Sequence, residues 1–450
     1  MLKRITLPVL FFLCLSQINT AQTWNALGKC FWGVAGSGFD NMEVYKNKLY
    51  ISGYLDTSCV NPNNYKRLII FDGQSFDTLP GGIDADVYSL TVYNDTLVLG
   101  GGFTYTGTDP WPSTSNTYGL AKWDGNNWST GHVFYNDGVI NAVAVYKGEL
   151  YVGGNFTQIN GQPFGRIAKW NGSQWTNVGG SFYGDNAVDC MTVFNNELYV
   201  GGHVSLPNVS NNYYNCVRWN GTKWDSVGGK FGPNWVISLC ADTINNKLYI
   251  GGGITYAGTV PVWSVAQWDG TNLSSPGGFG ITDGAYTMAM YNNELYVGSL
   301  AFRDTNFAKY NGNNWIPLKV NHNGGVNALG VYNGNLYAGG SFDSIGGIAA
   351  KNIACYGSTC PQGVGVQELQ VSGLKFKVYP NPAKNNITIE TTEDKKFVVH
   401  ITNPLGQQII TQSFQKKTEV NVSSFCKGLF LVEVCDEKGV KCHTEKVLVE

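Results

Sequence analysis

The chain has 450 residues, a formal net charge of -2, and only 14% of its residues are Asp, Glu, Lys or Arg. That length exceeds one ordinary domain, and the near-neutral balance excludes the basic footprint that nucleic acid or an anionic membrane requires. The 57 glycines, spread between short apolar runs, mark a turn-rich all-β composition.

Lys3 and Arg4 open the chain, an apolar run covers residues 5–15, and a polar stretch ends at Ala21. This pattern predicts a signal peptide over residues 1–21. The run is too short to anchor in a bilayer, and no later segment offers about 18 uninterrupted apolar residues, so no transmembrane anchor is expected. Phe12 and Leu13 stand before Cys14 where a lipoprotein would place small residues. Ten of the eleven cysteines follow the leader, and export permits disulfides. Cys435 and Cys442 would face each other across a hairpin at Lys438-Gly439, with Cys30–Cys59 and Cys355–Cys360 as further candidate pairs and buried free thiols as the alternative.

One phrase then recurs, cleanest over residues 139–180 as VINAVAVYKGELYVGGNFTQINGQPFGRIAKWNGSQWTNVGG. Its leucines are Leu49, Leu97, Leu150, Leu198, Leu248, Leu295 and Leu336, separated by 48, 53, 48, 50, 47 and 41 residues. Each copy holds four short runs of alternating apolar, β-branched and aromatic residues, which we label strands A to D. In the third copy these are residues 139–146, 150–156, 166–170 and 174–178, with tight turns at Lys147-Gly148 and Asn171-Gly172. Seven four-stranded repeats predict a seven-bladed β-propeller over residues 22–360. The paired glycines, such as Gly153-Gly154, precede no helix and so form no phosphate cradle. Glycine inside a strand instead permits a bulge or close sheet approach.

The seventh copy lacks a strand D after Gly357, whereas residues 23–28 (TWNALG) match residues 174–179 (QWTNVG). The N-terminal segment is therefore expected to complete the last repeat and remove two sheet edges. The phrases LYVGGNFTQING and IAKWNGSQWTNVGG resemble the repeats of kelch-like propellers, especially fungal cortical polarity-marker ectodomains and bacterial secreted proteins. The Asp-Gly-x-x-Trp turns are similar to sialidase Asp-boxes, but the fuller Ser-x-Asp-x-Gly-x-Thr-Trp pattern is absent.

Residues 361–373 read as a linker, after which Gly, Asn and Trp decline while Lys, Val and Glu rise. Alternating runs at 376–379, 387–390, 397–402, 408–414, 429–435 and 441–449 predict a small immunoglobulin-like β-sandwich over residues 374–450. Tyr379-Pro380-Asn381-Pro382, the Gly406 turn, Lys427-Gly428 and the terminal strand carrying Lys446 resemble, in order, the C-terminal sorting domain of type IX secretion substrates in Bacteroidetes. The resemblance implies the type IX machinery as partner, passage through the periplasm, and delivery to the outer cell surface or medium.

The strand B to C loops vary between repeats and carry Tyr105, Trp111, Tyr213, Tyr214, Tyr256 and nearby Trp263, whose faces suit sugar rings or peptide, unless they pack against neighbouring loops. Asp84, Asp137, Asp185, Asn234, Asp283 and Asn323 precede strand A and form either a polar ring around the channel mouth or turn-fixing side chains. Arg67, Arg166, Arg218 and Arg303 form no sialidase-like cluster, and His132, His203 and His322 show no metal spacing, so no cofactor or metal is expected. The sequence thus points to a monomeric, non-enzymatic secreted protein that binds a glycan or protein. A carbohydrate-active hydrolase or lyase using acids at the channel mouth is the alternative.

Overall fold

The computed structural model describes residues 22–27, 38–56, 65–80, 82–104, 106, 119–129, 134–135, 138–182, 187–207, 213–277, 284–299, 306–320, 324–361, 376–403, 408–423, 425, 427–436 and 441–449. The chain divides into two compact units, Met1–Gly365 and Val366–Glu450. The expected leader, residues 1–21, lies outside the described residues, as do Cys30 and Cys59.

Every described element is a strand or turn, and the sheets are not closed into a barrel. In the first unit seven antiparallel sheets each contain four strands in A-B-C-D order, one of them carrying a further short strand, Val260–Pro261. The third sheet is typical, with Ile140–Tyr146, Glu149–Gly154, Ile167–Trp170 and Trp175–Asn177. The other A strands are Phe39–Tyr45, Val87–Tyr93, Ala187–Phe194, Phe231–Asp242, Thr287–Tyr291 and Val326–Tyr332. Each touches the next, and the last touches the first.

Turn chemistry explains why the repeat folds this way. At the A–B turns Lys46 and Asn47, Asn94 and Asp95, Asn195 and Asn196, and Asn292 and Asn293 all have positive φ, the geometry that a two-residue hairpin requires. At the C–D turns an Asp or Asn accepts from the amides two and three residues on: Asn171 Oδ1 takes Ser173 N and Gln174 N, each at 2.9 Å. Asp124 does the same with Asn126 and Asn127, and those amides hold its carboxyl below the usual range.

The core lies between sheets rather than inside any one of them. Seven buried clusters each join two neighbouring sheets, including one in which Phe39, Leu49 and Phe71 of the first meet Ala328, Tyr337 and Ile353 of the seventh. Tyrosines ending strand A pin four of these contacts: Tyr45, Tyr146, Tyr291 and Tyr332 each donate an Oη hydrogen bond to a backbone carbonyl of the next sheet, as Tyr146 does to Asn196 O (2.9 Å) and Tyr332 to Asn47 O (2.9 Å). The seventh sheet takes its outer strand from Thr23–Ala26, which pairs antiparallel with Ile353–Gly357 as the sequence indicated. Trp24 is buried there between Phe307 and Tyr356. The Cys355–Cys360 disulfide lies beside this pairing.

In the second unit the six expected strands are present, together with a seventh, Lys417–Asn421, that the sequence reading missed. Its residues KTEVN carry a single aliphatic side chain, which leaves no clear apolar alternation. The strand joins a three-strand set to a four-strand set through one residue pair, Gln415 with Lys417, around Lys416 at φ 62. One core cluster holds Ile389, Val399, Ile401, Val432 and Val434. Cys435 lies on the strand Gly428–Asp436, while the side chain of Cys442 lies outside the described residues.

Candidate functional site

Strand A of six of the seven sheets carries an irregularity at one shared register. Pairing with strand B slips between Phe39 and Asn41, Val87 and Ser89, Ile140 and Ala142, Val188 and Cys190, Val236 and Ser238, and Val326 and Ala328. Each slip leaves one residue outside the ladder: Asp40, Tyr88, Asn141, Asp189, Ile237 and Asn327. In the sixth sheet the ladder starts at Thr287, and Tyr286 stands at the equivalent place. A bulge re-aims its extra residue away from regular alternation.

The paired glycines make this geometry possible. A Cβ on Gly154 would overlap Val139 O, and one on Gly252 would overlap Trp235 O, so the second glycine admits the bulged backbone. A Cβ on Gly100 would lie 2.7 Å from Ile140 of the next sheet and one on Gly251 2.8 Å from Ala285, so the first glycine admits the neighbouring sheet. Bulge and close approach are both realised.

Six of these seven residues line a cavity of about 220 Å³ to which all seven A strands contribute. Its walls carry Asp40, Tyr88, Asn141, Asp189 and Tyr286; Met42, Met191, Leu239, Met288 and Leu329, two residues on from the bulge positions, also border it, and its surface is mostly polar. Ser238 Oγ donates to Ala285 O (2.6 Å) and Ser89 Oγ accepts from Val143 N (3.1 Å), tying adjacent walls together. Asn327, in the seventh sheet, turns its amide against Gly38, and its Oδ1 is buried without a hydrogen bond among the described residues.

Two cavity carboxyls are displaced from ordinary behaviour. Asp40 is pushed up to about 7, first by desolvation and then by the Asp86 carboxylate, with Arg67 opposing. Asp40 is at the same time exposed to the open cavity, so its desolvation comes from the cavity walls rather than from packing in the core. Asp189 is pushed up to about 6 by desolvation, against a hydrogen bond from Asn141 Nδ2 (3.1 Å). Asp86 pairs with Arg67. Among the described residues no Lys, Arg or His lines the cavity, and no group of three His, Cys, Asp or Glu side chains converges as a metal site.

An aromatic shelf occupies the fourth and fifth sheets. His203 stacks on Tyr213 with ring centroids 3.9 Å apart, and Trp235 lies 6.0 Å from the same imidazole. Trp235 directly precedes the strand A segment that contributes Ile237 to the cavity, and it is 49% exposed.

Of the loop aromatics singled out from sequence, Tyr213 joins this shelf, and Tyr256 and Trp263 are exposed on the fifth sheet. Tyr214 packs against the core between the third and fourth sheets. Asp84 accepts from Thr104 N (2.9 Å) and Thr104 Oγ1 (2.6 Å) and does not line the cavity. Asn234 lies against Gly253. Tyr105, Trp111, Asp137, Asp185, Asp283 and Asn323 lie outside the described residues. The bulge residues were missed because their types differ between repeats and regular alternation gives them no special place. The readable signal was their position opposite each glycine pair.

In the second unit Asn381 of the motif and the neighbouring Ala383 are tied to the terminal strand Lys441–Val449. Asn381 Oδ1 accepts from Leu448 N (3.0 Å), Ala383 N donates to Leu448 O (2.8 Å), and Ala383 pairs in parallel with Val449. Tyr379 Oη donates to Glu390 Oε2 (2.8 Å). Lys427 is exposed beside Gly428, which begins the strand paired with the terminal one. Lys446 pairs through its backbone with Leu431, and Gly406 lies outside the described residues.

Residues 377–450 match the family model described as a secretion system C-terminal sorting domain. The protein is thus a type IX secretion cargo, delivered to the cell surface or the extracellular space. Among the described residues no helix is long and apolar enough to cross a membrane. Comparison with curated proteins gave no match. Among solved structures, the chain is similar to PorZ, a surface component of the type IX secretion system of Porphyromonas gingivalis, at 16% identity, covering 91% of this chain and 69% of that one with a TM-score of 0.35. A glycoside hydrolase family 74 enzyme from Niastella koreensis gives 12% identity, 82% and 59% coverage, and a TM-score of 0.43. A fungal alcohol oxidase of the AA5 family, in complex with copper, gives 13%, 95% and 96%, and 0.36. At such scores these likenesses carry no argument about activity.

Proposed function

We propose that residues 22–360 are a seven-bladed, kelch-like β-propeller and that the exported protein is a non-enzymatic glycan-binding protein. A leader over residues 1–21 and a sorting domain over 374–450 frame the propeller. The observation that carries the binding reading is the polar-walled cavity to which all seven A strands contribute, together with the aromatic group of half-buried His203 and Tyr213 and exposed Trp235, whose strand also lines the cavity. Hydroxyls would bond Asn141, Asp189 and the tyrosines, while a ring face would stack on the shelf. Glycan-array binding with the full chain tests this. Trp235→Ala is expected to weaken binding about tenfold or more, and an array with no hit would sink the reading.

The raised carboxyls of Asp40 and Asp189 support a second reading, hydrolysis or elimination on a polysaccharide, since such groups serve as acids near neutral pH. Turnover of any glycan bound on the array, abolished by Asp40→Asn or Asp189→Asn, would replace the binding reading with this one.

A further inference from the structure

The cavity has an electrostatic imbalance that a neutral sugar would leave uncorrected. Two carboxyl side chains, Asp40 and Asp189, project from the first and fourth A strands, nearly opposite each other in the seven-membered cycle. Among the described residues Asp189 accepts one hydrogen bond, from Asn141, and Asp40 accepts none. The nearby cation, Arg67, is already paired with Asp86. Tyr88 and Tyr286, 38% and 41% exposed, present ring surface in the same layer. At about 220 Å³ the space falls below the ~300 Å³ of pockets for drug-sized ligands and suits one sugar residue rather than a chain.

Resting on the glycan reading above, we propose that the cavity selects an amino sugar bearing a free primary ammonium. The ammonium sits against Asp40 or Asp189 and over the tyrosine faces, while the ring hydroxyls meet Asn141. Burial that costs an isolated carboxylate is offset when a cation arrives, and a cation over an aromatic face gains further attraction. Acetylation of the amine removes the charge and enlarges the group, so the cavity discriminates between the two forms. The titratable groups around the site do not supply the missing charge: Glu43 lies further along the Asp40 strand, and Cys190 follows Asp189.

Calorimetric titration of the full chain with glucosamine and with N-acetylglucosamine tests the proposal. Glucosamine is expected to bind about tenfold more tightly or better, and Asp40→Asn and Asp189→Asn are each expected to reduce that preference without lowering the melting temperature. Putrescine, which has the ammonium but no ring, is expected to bind more weakly than glucosamine; tighter binding would make the ligand an aliphatic amine and overturn the sugar. Equal affinity for both sugars would overturn ammonium selection while leaving the glycan reading intact. Displacement of glucosamine by calcium alone at equal affinity would overturn it in favour of a metal. Binding of neither sugar would overturn it too, and the array with Trp235→Ala would then decide the glycan reading separately.

Discussion

A single methyl group tests the bulge geometry. In Gly154→Ala the new Cβ falls on Val139 O, a backbone atom that cannot swing aside, so a loss of about 1–3 kcal/mol is expected in denaturant unfolding. Asp40 and Asp189 act through pH instead. Their carboxyls rise from 3.8 to about 7 and about 6, so between pH 4 and 7 the folded state holds more protons than the unfolded one. Stability therefore falls as pH rises through this window, and the penalty is complete above pH 7. Melting temperatures at pH 5 and pH 8 should differ in that sense, and Asp40→Asn with Asp189→Asn should flatten the difference. A steeper dependence in the double variant would contradict the assignment.

Thr23–Ala26 is a short strand with large consequences, because it supplies the edge of a sheet whose other three strands arrive more than 300 residues later. Trp24→Ala empties a site enclosed by Phe307 and Tyr356 and is expected to cost about 3–5 kcal/mol, read as a lowered unfolding midpoint. Breaking Cys355–Cys360 by double serine substitution frees only a short loop, so a smaller loss of about 2 kcal/mol is expected. The pairing of TWNALG with the last repeat was legible because Trp opens strand D at Trp128, Trp175, Trp224 and Trp315, and Trp24 holds the matching place. The cavity was not, since Asp40, Asn141 and Ile237 share a register but no chemistry. The register itself depends on a slip in pairing, which a one-dimensional pattern of alternation does not display. The turns lay between these cases: Lys147-Gly148 and Asn171-Gly172 announced hairpins, whereas the Asn-Asn turns at Asn195-Asn196 and Asn292-Asn293 took their positive φ only in the structure.

Two compact units divide the labour of the whole chain. Residues 377–450 direct export, and their Tyr-Pro-Asn-Pro segment is built onto the terminal strand through Asn381 and Ala383. Deleting residues 374–450 should leave the first unit in the periplasm, as fractionation would show; undiminished surface delivery would contradict this. Asn381→Ala removes the acceptor for Leu448 N and should reduce export more than it affects melting of the first unit. The sorting motif was readable because its residues are close in sequence and fixed in order. The tie of Asn381 and Ala383 to the last strand required the fold.

The bulged residues hold a distinctive place in the first unit. Asp40, Tyr88, Asn141, Asp189, Ile237 and Asn327 belong neither to the strand ladders nor to the buried clusters between sheets. On the binding reading proposed above, recognition and the packed core are written at separate addresses. Under that reading, substitutions at the cavity-lining addresses Asp40, Tyr88 and Asp189 would alter what the cavity accepts without touching the buried clusters between sheets.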